Sequence, residues 1–227
     1  MRVVLRGLIA SLSIAAGYLP IAFSFGISAM QSGMSQTTTI LTSVILYAGA
    51  SQFVLIALLT SGAGLLTVVP TVLLMNARHL FYGPALLKRF TDPVKRLPAP
   101  MLAFGLTDEV FAATLSKVNA IAPEERERWY LGMQLGAYGS WIAGTVLGTV
   151  LSAGFTDPPV FVREALAFVL PALFVTLLLE IGFARSLRTI IVSASVTAAL
   201  LSVLPNYHAL AFGMLAGAAF NAFGGRR

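Results

Sequence analysis

No cysteine occurs in this 227-residue chain, histidine occurs twice, and charged side chains make up only 11% of it. The missing thiols exclude a disulfide framework and a thiolate metal site, and they leave the redox compartment unread. Two histidines without cysteine offer a nucleophile–base pair little material, and the HExxH, GxSxG and P-loop patterns are absent. The chain therefore reads as a non-enzyme, with no cofactor or metal implied. The shortage of charge says most. A soluble domain carries about a quarter charged residues, and charge is thinned in this way where a bilayer replaces water, because each ion at its centre costs a few kcal/mol or more.

What is present is apolar: 57% of the residues, with a mean hydropathy of +0.86. The charges that remain fall in short clusters between long apolar runs, the pattern of membrane-spanning helices. The net charge of +6 fits basic loops on the cytoplasmic side better than a nucleic-acid partner, so no nucleic acid is expected. Eight apolar segments stand out, at 7–30, 37–61, 65–87, 101–118, 129–153, 165–183, 187–204 and 207–223. Most approach the roughly 20 residues that a helix needs to cross about 30 Å of hydrocarbon. The fold expected is an all-α, polytopic bundle of six to eight membrane segments forming one domain over 1–227. The first segment resembles a signal peptide in its basic start, but its apolar run is too long for one and is read as retained.

Two segments look interrupted. The first contains Gly17, Pro20 and Gly26, and the fourth carries Thr107, Asp108 and Glu109 in its middle. Proline removes a backbone donor, and freed backbone groups persist in a membrane only where protein or a wet cavity satisfies them. Both are candidates for broken or re-entrant elements, although Pro20 alone also fits an ordinary kink. Loop charge bears on this. With eight spans and the N-terminus inside, nine Lys/Arg lie inside and five outside; with the first and fourth segments re-entering from the cytoplasm, thirteen lie inside; with only the fourth re-entrant and the N-terminus outside, the split is eleven to three. The positive-inside rule prefers the second arrangement, and all three put the C-terminus in the cytoplasm. Residues 7–87 and 101–183 are also candidate duplicated halves, followed by two extra helices at 187–223. Each half would open on an interrupted element and close on a proline-bearing helix, with Pro70 and Pro84 in one and Pro171 in the other. An inverted repeat and two cytoplasmic re-entrant segments are mutually exclusive.

The sharpest chemistry lies in Asn76-Ala77-Arg78-His79-Leu80-Phe81-Tyr82-Gly83. Ten residues separate Arg78 from Lys88, about 15 Å of helix, which puts a guanidinium near mid-membrane. Such a charge marks a functional site by default, and its fork matches a carboxylate. The plainer reading is a structural pair with Asp108 or Glu109. Those two carboxylates, adjacent on a helix, point about 100° apart, so one can meet Arg78 while the other faces solvent or accepts a proton. His79 reads more readily as packing than as a relay. Gln52 and Gln134 suit interhelical hydrogen bonds, Glu180 an interfacial charge, and Trp129 and Tyr130 an interfacial belt. Gly144–Gly148 and Gly213–Gly217 are GxxxG patterns that permit close helix contact, within the chain or with a partner.

Four runs taken together carry a resemblance. Gly17-Tyr18-Leu19-Pro20-Ile21-Ala22-Phe23-Ser24-Phe25-Gly26, Tyr47-Ala48-Gly49-Ala50-Ser51-Gln52-Phe53, Asn76 to Gly83, and Leu106-Thr107-Asp108-Glu109 resemble, in order, the AzlC/YgaZ family of branched-chain amino acid exporters. The likeness covers roughly residues 10–180. It implies export of Leu, Ile and Val from a bacterial inner membrane by a large subunit working with a small hydrophobic AzlD/YgaH-like subunit, and a carboxyl among the membrane segments would couple that transport to protons. Within it, Pro20 and a broken first segment would offer backbone groups and Phe23 and Phe25 would meet the aliphatic side chain. Arg78 would attract the carboxylate or gate by pairing with Asp108. Asp108 or Glu109 would receive the ammonium or a proton, with Gln52, Asn76, His79 and Tyr82 completing the site. The competing readings are a passive channel for a small polar solute and a non-transporting membrane scaffold.

Overall fold

The computed structural model describes residues 2–90, 97–154, 183–204 and 206–224, together with Glu164 and Phe168. Among these, all regular structure is helical. The sixth segment, with Pro171 and Glu180, lies outside the described residues, and with it the close of the second candidate half. The helices are α1 (Arg2–Ala10), α2 (Leu12–Gln31), α3 (Gln36–Leu46), α4 (Gly49–Thr60), α5 (Leu65–Asn76), α6 (His79–Leu87), α7 (Ala99–Ala103), α8 (Asp108–Lys117), α9 (Arg126–Gly154), α10 (Phe183–Leu200) and α11 (Asn206–Gly224). Leu12–Gln31 and Leu65–Leu87 are each long and apolar enough to cross a bilayer, and only 17% of the apolar window in the second is buried. Its bare leucines, Leu66 at 94% exposure and Leu73 at 65%, suit a lipid-facing surface rather than water.

Helix α9, about 43 Å long at 1.5 Å per residue, is the axis against which the rest can be measured. A Cβ built on Gly132, Gly144 or Gly148 would fall 2.0, 2.7 or 2.2 Å from the carbonyl oxygens of Val4, Leu19 and Phe23. Only glycine admits that approach. The pairing 4–132, 19–144, 23–148 also shows that α1 and α2 run parallel to α9 along its whole length. The first segment is thus divided, but at Ser11 rather than at Gly17–Pro20, and it does not turn back. Pro20 sits inside a continuous α2, where the Ser24 hydroxyl donates to the Pro20 carbonyl at 2.9 Å. The GxxxG glycines pack within the chain: Gly144 and Gly148 on α2, Gly213 and Gly217 on Thr197 and Ser193 of α10.

The second segment turns back instead. Helix α3 descends along α9, with Gln36 at Thr149, Ser43 hydrogen-bonded to Thr145 at 2.7 Å, and Tyr47 at Tyr138 and Trp141. There the chain breaks. Tyr47 has φ 38°, the only positive φ on a non-glycine residue among those described, a conformation that a bulky side chain adopts at a cost. Helix α4 then climbs back, placing Phe53 edge-on to Phe25 at 5.7 Å and Ile56 beside Ala29. At about 16 and 18 Å, α3 and α4 each reach only half-way.

The fourth segment is the mirror case and is broken as expected. From Leu97, whose N–H donates to Glu127 at 2.6 Å, α7 rises to Leu102, whose carbonyl accepts from Gln134 at 2.8 Å. The helix stops at Phe104, and α8 with the short turn after it returns to Ile121, beside Arg126. Between the hairpins, α5 and α6 run the full distance, from a loop at Ser61–Gly64 to Phe90, whose ring lies tilted 45° to that of Tyr130 at 5.2 Å. Trp129 and Tyr130 are 3% and 0% exposed. They fill the core between helices and do not form an interfacial belt, because α1 and the 119–125 turn cover them.

The two ends of the bundle differ. At one, Arg6 pairs with Glu125 at 3.2 Å and Arg126 donates to the Arg89 carbonyl at 2.8 Å. The loops at the other, 32–35 and 61–64, carry no charge, and no Lys, Arg, Asp or Glu lies between Arg6 and Arg78.

Candidate functional site

The tips of the two hairpins, inserted from opposite ends, meet half-way along α9. They border a small open pocket of ≈ 40 Å³. One wall is the α3–α4 tip, Tyr47 to Ala50. The facing wall is Thr107, Asp108 and Glu109 at the start of α8. Arg78 and His79 close one side, and Tyr18, Ile21 and Trp141 the other.

Each polar group is placed by a local feature. Arg78 sits between α5 and α6, where Ala77 N–H to Leu74 O (3.2 Å) and Phe81 N–H to Arg78 O (3.0 Å) tighten the helix into shorter turns. Thr107 caps α8, its hydroxyl accepting from Val110 N–H at 3.3 Å, and this stands Asp108 and Glu109 on the first turn, where the helix dipole favours carboxylates. As adjacency requires, the two face different partners. Asp108 accepts from Arg78 at 2.7 Å and from the Tyr82 hydroxyl at 2.7 Å. Glu109 accepts from the Tyr18 hydroxyl. Having given its one proton to Glu109, Tyr18 takes the Thr107 proton across 2.7 Å. The Arg78 and Asp108 side chains are 44% and 30% exposed, so the pair is only partly buried.

Of the residues expected at a site, Arg78, His79, Asp108 and Glu109 line the pocket, and Tyr82 supports it through Asp108, its ring stacked on Phe111 at 4.3 Å. Asn76 braces the α4 tip, donating to Ser51 at 3.0 Å. The others lie elsewhere. Gln52 is wholly buried and donates to Ser43 at 3.1 Å, an interhelical tie like that of Gln134. Pro20 is exposed on α2, Phe23 is set by its carbonyl against Gly148, and Phe25 is buried against Phe53. None of these three reaches the pocket, because α2 remains helical through Pro20 and turns that stretch toward α9 and α4. Sequence reasoning did not assign Tyr18, Tyr47, Thr107 or Trp141 to the site. Three of them stand inside the quoted motifs, which was the available signal; Trp141 had none beyond its level on a glycine-rich helix.

Comparison with known proteins fits this geometry. Residues 13–155 match the family described as AzlC protein, a span that holds the whole pocket from Tyr18 to Trp141. Inner membrane protein YgaZ of Escherichia coli (strain K12) is 39% identical over 193 residues, covering 85% of this chain and 78% of that protein. A membrane protein of Archaeoglobus fulgidus is 37% identical over 198 residues, 86% of this chain and 83% of its own. Branched-chain amino acid transport protein AzlC of Bacillus subtilis (strain 168) is 29% identical over 170 residues, 75% and 64% of the two chains. No solved structure matches.

Proposed function

Because this chain belongs to the AzlC protein family, we propose that it exports branched-chain amino acids across a bacterial inner membrane as the large subunit of a proton-coupled, two-component exporter. The name of the Bacillus relative supports amino-acid transport; direction and the small AzlD-like subunit rest on the motif resemblance, and proton coupling on the carboxyls of Asp108 and Glu109. One observation carries the reading at the level of geometry: a breakable Arg78–Asp108 pair at 2.7 Å in a pocket where two half-length hairpins meet. Irregular backbone at membrane depth is tolerated where it lines such a cavity, and transporters place substrate sites between discontinuous elements near the midplane.

In this reading Arg78 and Asp108 are the gate. Substrate entering the pocket competes for one member of the pair, the hairpins part, and Glu109 carries the coupling proton or the substrate ammonium. The charged end is cytoplasmic, which puts thirteen of the fifteen Lys/Arg inside if the remaining segments span, with the C-terminus on the same side. The shared order of a hairpin followed by a span, α3–α4 with α5–α6 and α7–α8 with α9, inserted from opposite ends, supports a duplication between the candidate halves 7–87 and 101–183.

The test is efflux of labelled leucine and valine from preloaded cells expressing this chain alone or with a neighbouring AzlD-like subunit. Faster efflux with both chains, lost when the proton gradient is collapsed, is the expected result. Efflux indifferent to the gradient would make the protein a facilitator, and no change over empty-vector cells would remove the amino-acid assignment.

A further inference from the structure

We infer that the tip of the α3–α4 hairpin is the seat for the carboxylate of an α-amino acid, with the Trp141 indole and the Tyr47 hydroxyl as its side-chain donors, and that Glu109 across the pocket receives the ammonium. This rests on the transport reading above and assigns the polar contacts it leaves open.

Three observations converge on the tip. Helix α4 begins at Gly49 behind Ala48, which has no side-chain oxygen to cap its first backbone N–H groups, and Ala48, Gly49 and Ala50 line the pocket. Trp141 Nε1 is buried with no hydrogen-bond partner among the described residues, and the Tyr47 hydroxyl, beside that of Tyr18, makes no hydrogen bond of normal geometry; their residues are 3% and 6% exposed and both line this pocket. An indole N–H can only donate, and a buried donor left unpaired costs free energy. Backbone N–H groups, an indole N–H and a hydroxyl on one wall are therefore complementary to an acceptor, and the positive end of α4 favours an anionic one. Arg78, the obvious cation, is already held by Asp108.

The facing wall has the opposite character. Glu109 is held by a hydroxyl and, unlike Asp108, makes no ion pair among the described residues. A carboxylate with one oxygen engaged and no cation beside it is complementary to an ammonium. The Trp141 ring, whose Cη2 would lie 2.9 Å from a Cβ on Gly49, and Ile21 supply apolar wall between the two. Once the hairpins part to widen the small pocket, the site so defined takes a ligand carrying both charges of an α-amino acid and a compact apolar side chain.

The experiment uses the chain's two tryptophans. In a Trp129→Phe background, purified with its small subunit if binding requires it, Trp141 is the sole emitter. L-leucine should change its emission, whereas leucinamide, lacking the carboxylate, and 4-methylvalerate, lacking the ammonium, should need at least tenfold higher concentrations. Independently, Trp141→Phe and Tyr47→Phe should each weaken binding of labelled leucine at least tenfold, and Glu109→Gln should weaken leucine while leaving 4-methylvalerate unchanged. Leucinamide binding as well as leucine to the otherwise native chain, or unaltered leucine binding by both aromatic variants, overturns the carboxylate seat and leaves transport standing. Absence of any leucine binding removes the transport reading, and this assignment with it. The analogue series needs no pocket variant to fold.

Discussion

At the scale of single residues, the decisive feature is that Arg78 meets Asp108 and leaves Glu109 to Tyr18. If the pair gates, Arg78→Gln should lower leucine efflux at least tenfold, about 1.4 kcal/mol of barrier, at matched protein levels. Exchanging the charges, Arg78→Asp with Asp108→Arg, should recover part of the loss. Near-normal efflux from the single variant would end the gate assignment. Arg78 and Asp108 were legible in the sequence because charge inside an apolar run is conspicuous. Tyr18, Tyr47 and Trp141 were not, because an aromatic residue in a membrane segment reads as packing until the surroundings of its polar atom are seen. Phe25 illustrates the converse: its place beside Pro20 suggested a pocket, while in space it packs on Phe53.

At the scale of elements, segment length conceals what the chain does. The run 37–61 has the length and hydropathy of a span and is two half-length helices; its turn depends on a positive φ at Tyr47, which a non-glycine residue does not announce. The fourth segment betrayed its break through Thr107 and the carboxylates after it. That cap yields a prediction: Thr107→Val should lower stability by about 1 kcal/mol, read as a fall in thermal midpoint in detergent, while Thr107→Ser should not. The seam between α2 and α9 yields another. Gly148→Leu places side-chain atoms where a Cβ alone would lie 2.2 Å from the Phe23 carbonyl, and overpacking of this kind costs about 1–3 kcal/mol. Gly139→Leu, where a Cβ meets nothing within 4 Å, should be tolerated; equal melting of the two would argue against the seam.

At the scale of the whole molecule, the hairpins decide which loops share a side. With the second segment re-entrant, loops 32–35 and 61–64 lie together at the uncharged end, whereas eight full spans would separate them. The chain contains no cysteine, so Gly33→Cys and Gly62→Cys each report alone. Both should react with a membrane-impermeant maleimide added to intact cells, and Arg89→Cys should react only after permeabilisation. Labelling of only one of the two glycine variants would exclude the hairpin. The same hairpin sets a problem of biogenesis. Ser43 is hydrogen-bonded to Thr145, 102 residues later in the chain. At about 5–20 residues per second, roughly 5–20 s pass between the synthesis of one partner and the other. During that interval α3 and α4, too short to span and carrying Ser43, Ser51 and Gln52, have no α9 to rest on. The ribosome therefore delivers an unfinished hairpin that has to wait, wetted or held by the insertion machinery, until the helix that completes it arrives.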